Sequence, residues 1–287
     1  MILVFGATGK TGSEIIKQLL ARSASIRVLI RDADKAAYFK EKGIDVVIGD
    51  ANDIAAVTLA LTGIIKVYLV LANSQHQLEQ EKLITDCSKK SGVKLLVKQS
   101  SLETMIYPNN PIPKAHFESE QYIKSSGLNW VIIRPTFFNQ MLLMCAYNIK
   151  ANDTLIFPMA NGCVAATDVR DVAEIAATVL TEPGHNNKTY DISGTEFLSF
   201  NTIAAIFSKV LNRQITYVSQ SLSEYRKMLE TRLNDEWRIN AVCEELNSLS
   251  TCSVNYVARD NIQRILGRPA RSVEQFVEDY KEAFVKE

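Results

Sequence analysis

Residues 5–12 read FGATGKTG, and two phosphate-binding patterns overlap in them. Gly9-Lys10-Thr11 resembles the close of a nucleotide-triphosphate P-loop, whose backbone amides wrap a β-phosphate and which needs a first glycine ahead of the Gly-Lys pair. Counting back places that glycine at Val4, inside an apolar run. Gly6, Gly9 and Gly12 fit a dinucleotide turn instead. Gly6 closes the run ILVF, Gly9 lets the backbone approach a pyrophosphate, and Gly12 lets the next helix lie against the sheet. Any tight turn from strand to helix can want glycine; the strand before it and the helical pattern after it make this one specific.

The second strand-like run, IRVLI, ends at Arg31, where a dinucleotide fold discriminates the ribose. An acid there accepts from a 2′-hydroxyl, whereas Arg pairs bidentately with a 2′-phosphate. NADP(H) is therefore expected over NAD(H). Asp32 is the competing acid, but its place before KAAYFKEK fits a helix N-cap. Lys35 and Lys10 add positive charge nearby and read equally well as phosphate partners or as solvated lysines.

Asp168 and Asp171 stand three apart at a helix start, the spacing of an N-cap and a first-turn charge rather than of a carboxylate pair for acid–base work. Five cysteines (Cys87, Cys145, Cys163, Cys243, Cys252) show no CxxC pair, and His76, His116 and His185 lie far apart in sequence, so no metal site is expected. Cysteine usage of this kind suits a reducing compartment, and a cytoplasmic location is expected.

The elements that must position these residues alternate in type. ILVF, IRVLI, DVVIG, VYLVL, KLLVKQ and NWVIIR are short apolar runs of the kind that become strands buried on both faces. Between them lie helical stretches such as residues 13–23, 53–63 and 77–92. Repeated βαβ units of this sort predict an α/β fold, a Rossmann-like doubly wound parallel sheet. After Arg134-Pro135 the rhythm changes: TFFNQMLLMCAYNIK is helical in pattern, residues 167–180 form a capped helix, TYDI is a last strand, and the chain is mostly helical from Phe200 onward. The expected organisation is a cofactor domain over 1–155, completed by about 164–194. A smaller, mostly helical C-terminal substrate lobe follows over 195–287, with part of 135–163.

The 287 residues carry 32 basic and 32 acidic side chains with no long run of either sign, which argues against a nucleic-acid or anionic-membrane partner. No apolar stretch approaches the roughly 20 residues that span a bilayer, and the first strand-like run at Ile2 leaves no room for a leader peptide. A small-molecule substrate is the expected partner; a homo-oligomer is compatible with everything above.

VFGATGKTG, VLIRDADK, GLNWVIIRPTFF (127–138), TDVRDVAEIA (167–176) and YDISGTEFLSFNTIAAIFSKVLNRQITY (190–217) together resemble the NmrA-like branch of the atypical short-chain dehydrogenases/reductases. Within it the chain is most similar to the triphenylmethane-dye reductases and the small NADPH:quinone oxidoreductases. The resemblance implies that Gly6, Thr8, Gly9, Lys10 and Gly12 surround the pyrophosphate and Arg31 the 2′-phosphate. It places Leu71, Ala72 and Asn73 along the ribose and nicotinamide, with Asp50 at the adenine. From the residues alone Asp50 reads as well as an Asx-turn in GDAND.

The usual chemistry of the wider dehydrogenase group needs Tyr-x-x-x-Lys, the lysine tuning the phenol for proton exchange. One such string exists, Tyr38 to Lys42, but it lies between the second and third strands and reads as a solvated helix face. At the expected place His116 stands where the lysine would be, as in the dye and quinone reductases, and Ile112 stands where the tyrosine would be. His116 is then the candidate catalytic residue, with helix packing as the alternative. Ser100 and Ser101 are placed to supply the hydroxyl at the end of the fifth strand. Phe137 and Phe138 are placed to line the substrate cleft, with core packing as the other reading. Two functions follow: an NADPH-dependent reductase of quinone-like or other conjugated electrophiles, or a non-catalytic NADP(H)-binding redox sensor.

Overall fold

A computed structural model describes residues 1–251 and 260–285. Cys252 lies outside the described residues. The chain divides into two compact units, the first formed by Met1–Pro108, Pro113–Arg134 and Val172–Asp191, the second by Asn109–Ile112, Pro135–Asp171 and Ile192–Glu287.

The strands of the first unit are β1 (Ile2–Val4), β2 (Ile26–Ile30), β3 (Asp45–Ile48), β4 (Lys66–Leu69), β5 (Leu95–Gln99) and β6 (Trp130–Pro135). They are the six apolar runs read from the sequence. Around them lie α1 (Lys10–Ala21), α2 (Ala36–Lys40), α3 (Ile54–Leu61), α4 (Gln77–Lys90) and α5 (Pro111–Ser125). Next in the chain come α6 (Ala146–Asn152), the strands β7 (Thr154–Phe157) and β8 (Cys163–Val164), helix α7 (Val169–Thr181), and β9 (Lys188–Ile192). One seven-stranded sheet has the order β3-β2-β1-β4-β5-β6-β9, with parallel pairing from β3 through β6. Parallel strands covered on both faces explain the near-continuous apolar runs. Leu3, Phe5, Val67, Leu69, Leu96 and Ile132 from the sheet pack with Val57, Leu61, Ile84 and Ile123 from the helices, each such burial contributing about 1.5–3 kcal/mol.

The second unit adds β10 (Leu198–Ser199), paired with β8, and β11 (Thr216–Ser219), paired with β7, together with α8 (Phe200–Leu211), α9 (Leu222–Glu230), α10 (Glu236–Ser250), α11 (Asn261–Leu266) and α12 (Val273–Asp279). Its helix starts follow local chemistry. Ser199 accepts from the Thr202 amide, Asp235 from Arg238 and Ser272 from Gln275, and Ser221 with Glu224 forms a capping box. The segment read as helical after Pro135 is a 3₁₀ stretch, Asn139–Cys145, that runs into α6. Among the described residues no helix is long and apolar enough to cross a membrane.

Candidate functional site

The strand order reverses direction of winding between β1 and β4. In open parallel sheets the crevice beyond the carboxyl ends of the strands at such a switch point is where ligands bind. Gly6 follows β1, Arg31 follows β2, Asp50 lies just past β3, Leu71–Asn73 lie past β4 and Ser100 follows β5. The sheet thus brings these candidates to one edge.

The turn at β1 is shaped by what a side chain would strike. Gly6 has φ +70°, and a Cβ there would lie 2.3 Å from the Val70 carbonyl oxygen. At Gly12 a Cβ would lie 2.2 Å from the Gly6 carbonyl oxygen, so α1 presses directly on the turn. Gly9 differs: only the Gly6 oxygen, at 3.2 Å, would meet its Cβ, and Thr8, Gly9 and Lys10 are exposed. Gly9 is also the N-cap of α1, which has no side-chain cap and no acid in its first turn. An uncapped helix start behind an exposed glycine backbone is an anion site by its dipole and its amides. A dinucleotide pyrophosphate fits it.

Arg31 is exposed, with Nη1 4.0 Å from Asp50 Oδ2. The other oxygen, Asp50 Oδ1, accepts from the Asn52 amide at 2.8 Å, so the Asx-turn is formed while one oxygen stays toward Arg31. Asp32 caps the turn that follows, accepting from the Asp34 amide at 3.0 Å, and its second oxygen lies 3.5 Å from Lys35 Nζ. It is engaged in the cap as its position suggested. Tyr38 is exposed, with Lys42 Nζ 4.9 Å from its ring centroid: a solvated helix face.

His116, on α5, is buried. Its Nδ1 lies 3.0 Å from Lys98 Nζ and 3.2 Å from Gln77 Nε2. Lys98 Nζ also lies 2.8 Å from Glu81 Oε1 and donates to the Gln99 carbonyl at 2.5 Å. Both charged side chains of that pair are fully buried. Burial, and then the Lys98 charge, hold the His116 pKa well below the ordinary imidazole value, so the ring is neutral at physiological pH. Among the described residues nothing bonds its Nε2, and that atom is not one of the fully buried orphans.

Ser100 donates its hydroxyl to Glu120 Oε1 at 2.6 Å, so that hydroxyl has only lone pairs left to offer a ligand. Glu120 is fully buried and forked by Arg134, with Nε 2.8 Å from Oε1 and Nη2 2.5 Å from Oε2. Burial raises the Glu120 pKa, but the Arg134 and Ser100 hydrogen bonds and the Arg134 charge outweigh it, leaving the carboxyl below its usual range. Ser101 is turned the other way, capping the turn at Glu103.

Phe137 and Phe138 lie in the second unit, both half-buried. Phe137 meets Phe157 and Phe200 edge-on at centroid distances of 5.8 and 6.1 Å, so packing accounts for one of its sides. Asp168 caps α7, accepting from the Arg170 amide at 2.9 Å. Asp171 is taken by Arg268 Nη2 at 2.8 Å and the Arg271 amide at 2.8 Å; both acids are structural.

Lys98, Glu81, Gln77 and Glu120 were not read from the sequence as part of the site. A signal existed for the first: a lysine inside LLVKQ, in a strand buried on both faces, must find a partner.

The chain matches the NmrA-like family over residues 1–275. It is 31% identical over 286 residues to the NAD(P)H azoreductase of Xenophilus azovorans, covering 99% of each chain. With quinone oxidoreductase 2 of Escherichia coli it shares 28% identity over 234 residues, covering 80% of this chain and 82% of that one. Its fold superposes on the Escherichia coli NADPH-dependent quinone oxidoreductase complexed with NADPH with a TM-score of 0.86 at 24% identity, covering 98% and 100% of the two chains.

Proposed function

The chain belongs to the NmrA-like family, and from that premise we propose that it is an NADPH-dependent reductase that delivers hydride to a quinone-like or other conjugated electrophilic small molecule. One observation carries the reading. A single unit joins an uncapped, glycine-cradled helix start at the sheet's switch point with a neutral, buried imidazole whose Nε2 has no partner among the described residues.

In this reading Gly6, Gly9 and Gly12 shape the pyrophosphate cradle, with the Thr8 and Lys10 side chains at its exposed rim. Arg31 pairs with the 2′-phosphate and Lys35 adds charge beside it. Asp50 meets the adenine, the backbone of Leu71, Ala72 and Asn73 follows the ribose, and Ser100 accepts a hydrogen bond from the cofactor side. When bound, the reduced nicotinamide supplies the hydride. His116 then acts by orientation, donating from Nε2 to the oxygen or nitrogen on which negative charge develops. Such acceptors are already electron-poor, so placement supplies most of the rate and a tuned tyrosine acid is unnecessary. Among the described residues Cys87, Cys145, Cys163 and Cys243 are free thiols.

The test mixes purified protein with NADPH and a panel of quinones, azo compounds and cationic dyes. Oxidation of NADPH above the protein-free rate with at least one acceptor is expected. Tight NADPH binding with no turnover on any of them would overturn the reading in favour of a redox sensor.

A further inference from the structure

We propose that Lys98 is a positioning residue that holds His116 as the tautomer protonated on Nε2, so that the site presents a fixed neutral donor suited to acceptors that gain negative charge on oxygen or nitrogen. This rests on the reading above that His116 meets the substrate. The tautomer follows from counting donors. An ammonium has three N–H groups and no lone pair, and Lys98 Nζ has three acceptors around it: Glu81 Oε1 at 2.8 Å, the Gln99 carbonyl at 2.5 Å and His116 Nδ1 at 3.0 Å. Nδ1 must therefore present its lone pair, and the ring proton sits on Nε2. Gln77 Nε2, 3.2 Å from the same nitrogen and 3.2 Å from Glu81 Oε1, donates into both and repeats the constraint.

Protonating Nδ1 would set two cations 3.0 Å apart in a dry interior. The groups facing the ring are Lys98 from β5, Gln77 and Glu81 from α4, and, one turn along α5, Glu120, which is already held by Ser100, Arg134 and Lys124. Tyr68 of β4 donates to the Gln99 side chain at 2.7 Å. None of these supplies an acceptor to Nδ1. A buried ion pair is a poor stabiliser in itself; this one fixes a proton. The consequence for substrate class is specific. A quinone carbonyl or azo nitrogen becomes more basic as hydride arrives and gains from an N–H donor, whereas a cationic dye is neutralised at carbon and gains nothing.

The experiment uses the full chain labelled with ¹⁵N-histidine, without substrate, and compares it with Lys98→Met and with Lys98→Met/Glu81→Gln, which leaves no buried carboxylate unpaired. In the parent, His116 should show an unprotonated Nδ1 and a protonated Nε2, unchanged as the pH falls through the ordinary imidazole range. In whichever variants fold, the ring should take up its second proton at a higher pH than in the parent, because the lysine charge is gone and burial alone opposes it. A parent ring protonated at Nδ1, or titrating near its reference value, overturns the proposal; so does a variant with the parent's spectrum. Turnover gives a second readout: Lys98→Met should lower kcat on quinones and azo compounds about 10-fold while changing cationic-dye reduction less than about 2-fold. Equal losses on both acceptor classes would also overturn it. Absence of any turnover in the parent would count against the reductase reading, and the nitrogen shifts would still decide the tautomer.

Discussion

Arg31 Nη1 stands 4.0 Å from Asp50 Oδ2, a cation and an anion carried at the carboxyl ends of the paired parallel strands β2 and β3. The contact is at the outer limit of an ion pair, and the Arg31 side chain is 82% exposed. Pairs of that kind contribute under about 1 kcal/mol to stability. The guanidinium is thus kept near the cofactor's expected position without being committed to the fold.

From this we expect NADP(H) to bind more tightly than NAD(H). Arg31→Glu should remove a charge-assisted pair and add repulsion, weakening NADPH by about 2–4 kcal/mol while moving the thermal midpoint little. Calorimetric titration of both cofactors checks it, and equal affinities in the unmutated protein would sink the claim.

The turn separates two ways in which a glycine matters. At Gly12 a Cβ would sit 2.2 Å from the Gly6 carbonyl oxygen, backbone against backbone, whereas at Gly92 nothing lies within 4 Å and only its φ of +75° is unfavourable. Gly92→Ala should cost about 1–2 kcal/mol. Gly12→Ala should cost more, about 3 kcal/mol or above, because α1 has to move off the turn. Urea unfolding ranks the two, and NADPH titration should show that only the Gly12 variant loses cofactor affinity.

That contrast also shows what a sequence can and cannot display. The six strands, the glycine turn and Arg31 are legible because each rests on local chemistry: apolar runs, a turn that excludes Cβ, a residue type at a strand end. Lys98 and Glu81 are not, because their meaning lies in a contact between β5 and α4. Glu81 within QLEQEKL looks like any solvated helix face until the fold turns it inward. His116 is legible by its place in the chain, but its protonation state is not, since that is set by burial and by a lysine carried on a strand of the sheet.

Glu120 gives the fold an acid-sensitive point. Arg134 and Ser100 hold its carboxyl below the usual range despite burial. A depressed carboxylate contributes stability that is whole above its unfolded pKa, about 4.3, and is lost as pH falls through the lower folded value. The protein should lose stability as the pH drops below about 4.5. Glu120→Ala, which removes Arg134's forked partner and leaves it Asp191 Oδ1 at 3.7 Å, should cost about 3 kcal/mol at neutral pH. Urea midpoints at pH 7 and below pH 4 for parent and variant test both statements; a parent midpoint insensitive to acid would refute the first.

His116 acts as a neutral ring. Burial and the Lys98 charge depress its pKa, so the neutral ring persists as pH falls through the ordinary imidazole range. Its contribution to stability is therefore present above about pH 6.5 and diminishes as the solution is acidified below it. A neutral imidazole donates a hydrogen bond but is a very weak acid, so it orients the acceptor while the proton that completes reduction comes from water. His116→Ala should then slow quinone reduction about 10-fold to 100-fold, chiefly in kcat, with NADPH affinity nearly unchanged. The parent's kcat should be flat between about pH 6 and pH 8, where a titrating general acid would impose a slope. A steep loss of rate with a midpoint near 6.5 in the parent, abolished in the variant, would make His116 a proton donor and contradict the geometry. A variant as fast as the parent on every accepted substrate would return the residue to helix packing and leave Phe137 and Phe138 as the groups to probe next.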